Sequence, residues 1–332
     1  CRRQRQMCIR DRVTTGGTWS SSYLFIANVG MFNGVVLGAN GGTTTITYTS
    51  AAGCIRTTVF TVNPAPVPIT GTTTLCAGAT TALSDLTSGG VSWTSSNTGV
   101  ATVVSSTGLV TGVAAGTANI SYNLGTGCFA YTTVTVNGIP PAIGGTRIVC
   151  VGSVTSLTNT MPGGTWASSN TAVANVDTFS GVVGGATTGM TTITYTSPAG
   201  CIKTTIVTVN PLPVSISGYL IACVGTTTTL TAGSGGTWSS NDITIATAGI
   251  STGVVTGVTA GTVNISYTLS TTGCYRTVVA TVNPIPPAIS GTASVCPALT
   301  TTLSNTLVGG SWSTGNNAVS YTHLTLPTIL LV

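Results

Sequence analysis

Apolar and polar residues alternate along this chain in short runs. In Thr117-Ala118-Asn119-Ile120-Ser121-Tyr122 every second side chain is apolar, and Thr133-Val134-Thr135-Val136 follows the same rule. A period of two sets one face toward a core and the other toward water, so these runs predict half-buried β-strands. They are rich in Thr, Val, Ile and Tyr, which suit a pleated surface. Turn formers separate them, as at Thr107-Gly108, Ala115-Gly116 and Gly125-Thr126-Gly127. No stretch holds helical periodicity over three turns. The pattern predicts an all-β chain built from sandwiches of about seven short antiparallel strands.

The pattern repeats. The five Trp fall at 19, 93, 166, 238 and 312, at nearly equal intervals. Tyr48, Tyr122, Tyr195 and Tyr267 keep the same beat, as do Asn63, Asn137, Asn210 and Asn283 at strand ends. Such self-similarity is the signature of a tandem array. Residues 64–137, 138–210 and 211–283 form complete units. Residues 13–63 hold the back part of an earlier unit and 284–319 the front part of a later one, so the chain reads as a fragment of a longer array. Residues 1–12 and 320–332 carry no repeat residue and are read as non-native tails. On that reading Cys1, Cys8 and His323 have no function, and Ser320 stands where the repeat would place Ala. Any signal peptide would lie upstream.

Composition narrows the function. Only 4% of residues are charged, against about 25% in an ordinary soluble domain. There is no Glu, and the single His lies in the C-terminal tail. Acid–base and Ser–His–Asp chemistry need titratable groups that the body lacks, so the chain is expected to be no enzyme. The net charge of +5 is concentrated in the first twelve residues, at Arg2, Arg3, Arg5, Arg10 and Arg12. The near-neutral body offers no basic stripe to nucleic acid. No run of about 18 apolar residues predicts a transmembrane helix.

Eight Cys share the repeat. Cys76, Cys150, Cys223 and Cys296 stand in one phase, Cys54, Cys128, Cys201 and Cys274 in the other. Spacing leaves two pairings open. Bonds within a unit give Cys76–Cys128, Cys150–Cys201 and Cys223–Cys274, and this set is preferred because each unit is then self-contained. Bonds across unit boundaries would join Cys54 to Cys76, Cys128 to Cys150, Cys201 to Cys223 and Cys274 to Cys296, and staple neighbours together. Either set implies an oxidising compartment outside the cytoplasm. Linkers such as Asn210-Pro211-Leu212-Pro213 should be short and semi-rigid.

Trp93-Thr94-Ser95-Ser96-Asn97, then Val100-Ala101-Thr102-Val103, then Thr107-Gly108-Leu109-Val110-Thr111-Gly112-Val113-Ala114-Ala115-Gly116-Thr117, resembles the bacterial Ig-like domain, group 2. The same signature recurs at Trp166-Ala167-Ser168-Ser169-Asn170 and at 252–262. The resemblance implies a tandem array of Ig-like β-sandwiches in a bacterial surface or secreted protein, often an adhesin, with no shared catalytic residues. The Cys pair and low charge depart from the common pattern. They look more like Thr-rich repeat arrays of large exported proteins in Bacteroidetes-type bacteria.

The remaining candidates read as structure. Asp85, Asp177 and Asp242 occupy different repeat positions and form no Ca²⁺ cluster, and Asp85 and Asp242 suit turns. The Cys lack zinc spacing. Trp93, Trp166 and Trp238 are expected in cores rather than on sugar platforms. Arg56, Lys203 and Arg276, each two residues after a Cys, are expected on a wet strand face guarding an edge. No catalytic, cofactor or metal residue is assigned. The expected role is a stalk or spacer. The rivals are a module binding glycans or extracellular proteins, with Tyr131 and Tyr219 as departures from the repeat, and the accessory region of a large secreted enzyme.

Overall fold

The computed structural model describes residues 16–314. Both predicted tails, with Cys1, Cys8, His323 and Ser320, lie outside the described residues. Every element within them is a β-strand. The chain is all-β, with three complete Ig-like sandwiches in tandem.

The middle sandwich serves as reference. Its strands are β1 (Gly144–Gly145), β2 (Ile148–Cys150), β3 (Val154–Thr158), β4 (Thr165–Ser168), β5 (Ala174–Val176), β6 (Val182–Gly185), β7 (Gly189–Thr196) and β8 (Ile202–Asn210). They form two four-stranded sheets, in the orders β1-β3-β6-β5 and β2-β8-β7-β4. All neighbours are antiparallel except β2 and β8, which run parallel with Cys150 opposite Asn210. The same two sheets recur over Thr70–Asn137 and Ser217–Asn283. Near the ends, Thr18–Ser21, Gly42–Thr49 and Ile55–Val62 form one sheet, and Ser290–Gly291 pairs with Leu303–Ser304.

There are eight strands per sandwich rather than about seven, because the first segment divides between the sheets. At Gly145 the backbone turns at φ +94°, and a Cβ there would stand 2.2 Å from the Ser156 carbonyl oxygen. Only glycine lets the chain cross from one sheet to the other at that point.

The core lies between the sheets. Alternation in β7 buries Thr191, Ile193 and Tyr195, and in β8 it buries Thr205, Val207 and Val209. With Val149, Leu157, Trp166, Ala174 and Val183 these apolar side chains make one cluster, and each neighbouring sandwich has its own.

The cysteine pairing differs from both expected sets. The bonds are Cys76–Cys201 and Cys150–Cys274, each with Cα atoms 5.7 Å apart. Cys54, Cys128, Cys223 and Cys296 are free. The preferred pairs Cys76–Cys128, Cys150–Cys201 and Cys223–Cys274 fail for a geometric reason. Cys201 sits in the hairpin before β8, whereas Cys150 lies opposite Asn210 at the far end of that strand. A nine-residue strand separates them by about 30 Å, and a disulfide needs Cα atoms within about 7 Å. The boundary-crossing pairs, such as Cys201–Cys223, fail too, since they would reach from one sandwich's hairpin to the far end of the next. The observed bonds join the exit end of one sandwich to the hairpin of its successor. The Cys201 sulfur lies 3.9 Å from the Asn137 carbonyl oxygen, at the very end of the preceding sandwich.

Candidate functional site

The repeated signature residues meet inside each sandwich. Trp166 on β4 stands opposite Tyr195 on β7, and their rings pack with centroids 4.8 Å apart. Trp93–Tyr122, Trp238–Tyr267 and Trp19–Tyr48 repeat that distance. Trp93, Trp166 and Trp238 are each 6% exposed, so these indoles anchor cores and present no stacking platform. The tyrosine hydroxyl is also consumed: Tyr195 Oη donates to the Met161 carbonyl and accepts from Gly164 N–H at 3.0 Å. Thr–Gly turns at Gly108 and Gly253, and the Ser–Gly turn at Gly181, close against the indoles. Gly181 has φ +72°, and a Cβ there would lie 2.6 Å from the Leu157 carbonyl oxygen and 2.9 Å from the Trp166 ring.

The Ser-Ser-Asn run folds the next turn. Buried Thr191 Oγ1 accepts from Asn170 N–H at 3.0 Å and pairs with Ser168 Oγ and Ser169 Oγ. Asn170 Oδ1 accepts from Ala172 N–H at 3.1 Å.

The three aspartates are turn residues in separate places. Asp177 accepts from Ser180 Oγ–H and from the N–H groups of Ser180 and Phe179, with the hydroxyl bond foremost, and these hold its carboxyl below the usual range. Asp242 is lowered in the same direction, first by the Thr244 hydroxyl and then by its N–H. Asp85 Oδ1 accepts from Thr87 N–H at 2.8 Å, while its Oδ2 is buried without a partner. Among the described residues no three of His, Cys, Asp or Glu come together.

The cations sit near junctions. Lys203 and Arg276 lie on the part of the last strand that the parallel neighbour leaves uncovered, since pairing there begins at Thr208 and Thr281. Arg276 does more than face water. Its Nε donates to the Pro213 carbonyl at 2.6 Å and braces the linker that enters its sandwich.

Two surface features remain. At the hairpin end of the middle sandwich, a shallow cavity of about 230 Å³ is lined by residues including Asn159, Met161, Pro162, Phe179, Ser180 and Tyr195. Its lining carries no carboxylate, cation or thiol, so it offers contact and no acid–base pair. The second feature is a recurrent exposed apolar pair on the outer face of each last strand: Phe129 and Tyr131, Ile202 and Ile206, Tyr275 and Val279. Sequence reading singled out only Tyr131 and Tyr219, and passed over this row. Its signal was present, because Ile202-Lys203-Thr204-Thr205-Ile206-Val207 places apolar residues on both parities of one strand.

Fold and site together define tandem Ig-like β-sandwiches whose repeated residues serve their own cores and turns. Residues 56–136 match the family described as Bacterial Ig-like domain (group 2). The sandwiches after that segment repeat its two-sheet architecture and its signature residues. No curated protein matches the chain. Among solved structures, the S-layer protein rSbsC(31-844) is 16% identical with a TM-score of 0.22, covering 83% of this chain; the chain spans about half of its length, 51%. Drosophila N-cadherin EC1-4 is 12% identical with a TM-score of 0.22, covering 82% of this chain and 92% of its own. A C-terminal intimin fragment, solved with the intimin-binding domain of its translocated receptor, is 17% identical with a TM-score of 0.26, covering 53% and 59%. Among the described residues no helix is long and apolar enough to cross a membrane.

Proposed function

We propose that the chain is a non-catalytic stalk or spacer of an exported bacterial protein, at the cell surface or secreted. Its units are 64–137, 138–210 and 211–283, flanked by the partial units 13–63 and 284–319. The observation that carries this reading is the pair of disulfides joining each sandwich's exit end to the next sandwich's hairpin. Such bonds fix the spacing of neighbours and form in an oxidising compartment. A module beyond the repeats would then supply adhesion or catalysis.

A second reading rests on the exposed apolar row along the last strands. Exposed apolar rows of this kind mark contact surfaces when they are contiguous. In this reading the repeats themselves bind glycans or extracellular proteins.

One experiment separates the two. The full oxidised chain is screened against glycan and matrix-protein arrays, beside a Phe129→Ser/Tyr131→Thr variant. The spacer reading expects no saturable binding by either. Saturable binding by the parent that the variant loses would overturn it and make the array an adhesin.

A further inference from the structure

The disulfides do more than set spacing. We propose that the array is a tension-bearing rod crossed by two interleaved covalent straps, which carry load past the sandwiches without unfolding them.

Starting at Cys54, the chain runs through the last strand Ile55–Val62, the linker and the first strands of the next sandwich to Cys76. There it crosses a sulfur–sulfur bond to Cys201. From Cys201 it follows β8, the next linker and the first strands of the third sandwich to Cys223. A second strap has the same form, one sandwich out of step: Cys128 to Cys150 by backbone, Cys150 to Cys274 by disulfide, and Cys274 to Cys296 by backbone.

Each backbone segment, such as Cys201 to Cys223, crosses two sandwiches end to end. Two nine-residue strand lengths and one junction amount to somewhat over 60 Å, against about 75 Å for a segment of that length fully extended. The straps therefore hold little slack in the folded state. In the middle sandwich they run as β2 and β8, hydrogen-bonded neighbours pointing the same way. Load on both draws them in one direction and does not shear them apart. Residues 151–200, with Trp166 and most of the core, lie off both straps and join Cys150 on one to Cys201 on the other.

The free cysteines fit the same design. Cys128 sits against Asn63 O at 3.7 Å, as bonded Cys201 sits against Asn137 O at 3.9 Å. Cys223 occupies on the third sandwich the place that Cys76 and Cys150 hold on theirs. Any further repeat of this form on either side would meet a matching half-site.

Overlap of the two loops gives an unusual signature. The loops span 125 and 124 residues and share the stretch between Cys150 and Cys201. With both bonds intact, the shortest path through an unfolded chain crosses to Cys201, returns to Cys150 and leaves at Cys274. With one bond lost, the other still bypasses its whole loop. Losing either bond alone therefore lengthens the path only slightly, and losing both releases everything.

The test is to stretch the full chain between its termini by optical tweezers. Oxidised, its final unfolded length should fall short of the reduced chain's by about 510 Å, at about 3.5 Å per residue. Cys76→Ser and Cys150→Ser, tested singly, should each keep about 440 Å of that shortening, and the double variant should abolish it. Peptide mapping without reduction checks which bond each variant retains. An oxidised chain as long as the reduced one would overturn the proposal. So would two single variants that each release about a third of the shortening, the mark of three independent bonds closed within their own sandwiches. This inference deepens the spacer reading and takes its use in the cell from it, but the two fail separately. Ligand binding would overturn the spacer and leave the straps intact, whereas additive lengthening would overturn the straps and leave the binding screen to decide the spacer.

Discussion

Repeats supply ready-made substitutions against which single residues can be weighed. Asp85 stands where the next sandwich has Asn159, whose Nδ2 donates to the Pro141 carbonyl eighteen residues earlier. A carboxylate has no hydrogen to offer there, and its second oxygen is buried unpaired. Asp85→Asn should raise the stability of its sandwich by about 1 kcal/mol, read from its denaturant midpoint. A lower midpoint would show that the lost charge mattered more than the gained donor. Gly181 is the opposite case. Its positive φ and its approach to Leu157 O and the Trp166 ring leave no room for a methyl group. Gly181→Ala should cost about 2 kcal/mol or more, seen as selective melting of the middle sandwich. Unchanged melting would mean that the turn can shift away from the indole.

At the scale of elements, the turn between β4 and β5 tests how much a buried polar network contributes. Thr191 gathers Ser168, Ser169 and Asn170 N–H around one hydroxyl. In the third sandwich Val263 fills the matching buried slot, and Asp242 N–H bonds to Ser240 Oγ instead. Ser168 Oγ already stands 3.3 Å from Asn170 N. Thr191→Val should therefore cost less than about 1 kcal/mol, because the N–H keeps an acceptor. Thermal melting of the variant checks this, and a larger loss would make the threonine the true centre of the turn. The strands themselves were legible in the sequence. Alternation in Thr117–Tyr122 and Thr133–Val136 gave the buried face correctly, and the Trp beat gave the core anchors, whereas their packing against the Tyr rings emerged only in the fold. Two things were not legible. A period of two tells which face a residue takes but not which end of a sandwich it occupies, so the cysteine partners stayed hidden. It also does not show that Gly145 passes the first segment from one sheet to the other.

For the whole molecule, the scarcity of titratable groups sets an expectation about pH. Between residues 16 and 314 there is no Glu and no His. Asp177 and Asp242 have carboxyls lowered by hydroxyl and N–H donors. A depressed carboxylate contributes its stability above the unfolded value of about 3.9 and loses it as pH falls through the folded one. Melting of the oxidised chain should be flat from about pH 5 to 8 and decline only below about pH 4. A slope near neutrality in a calorimetric pH series would contradict this account. A loop of 125 residues is worth about 5 kcal/mol in the chain-entropy treatment, so the cross-links should outweigh any such carboxylate effect.

The cross-links also constrain how the molecule is made. Cys76 leaves the ribosome before Cys128 and Cys150, and its partner Cys201 follows 125 residues later. An oxidant that joined thiols in order of appearance would bond Cys76 to the wrong neighbour and trap the chain. Correct bonds require that two successive sandwiches fold first and bring exit end and hairpin together. Folding then acts as the template for oxidation, and each repeat waits for its successor before it is sealed.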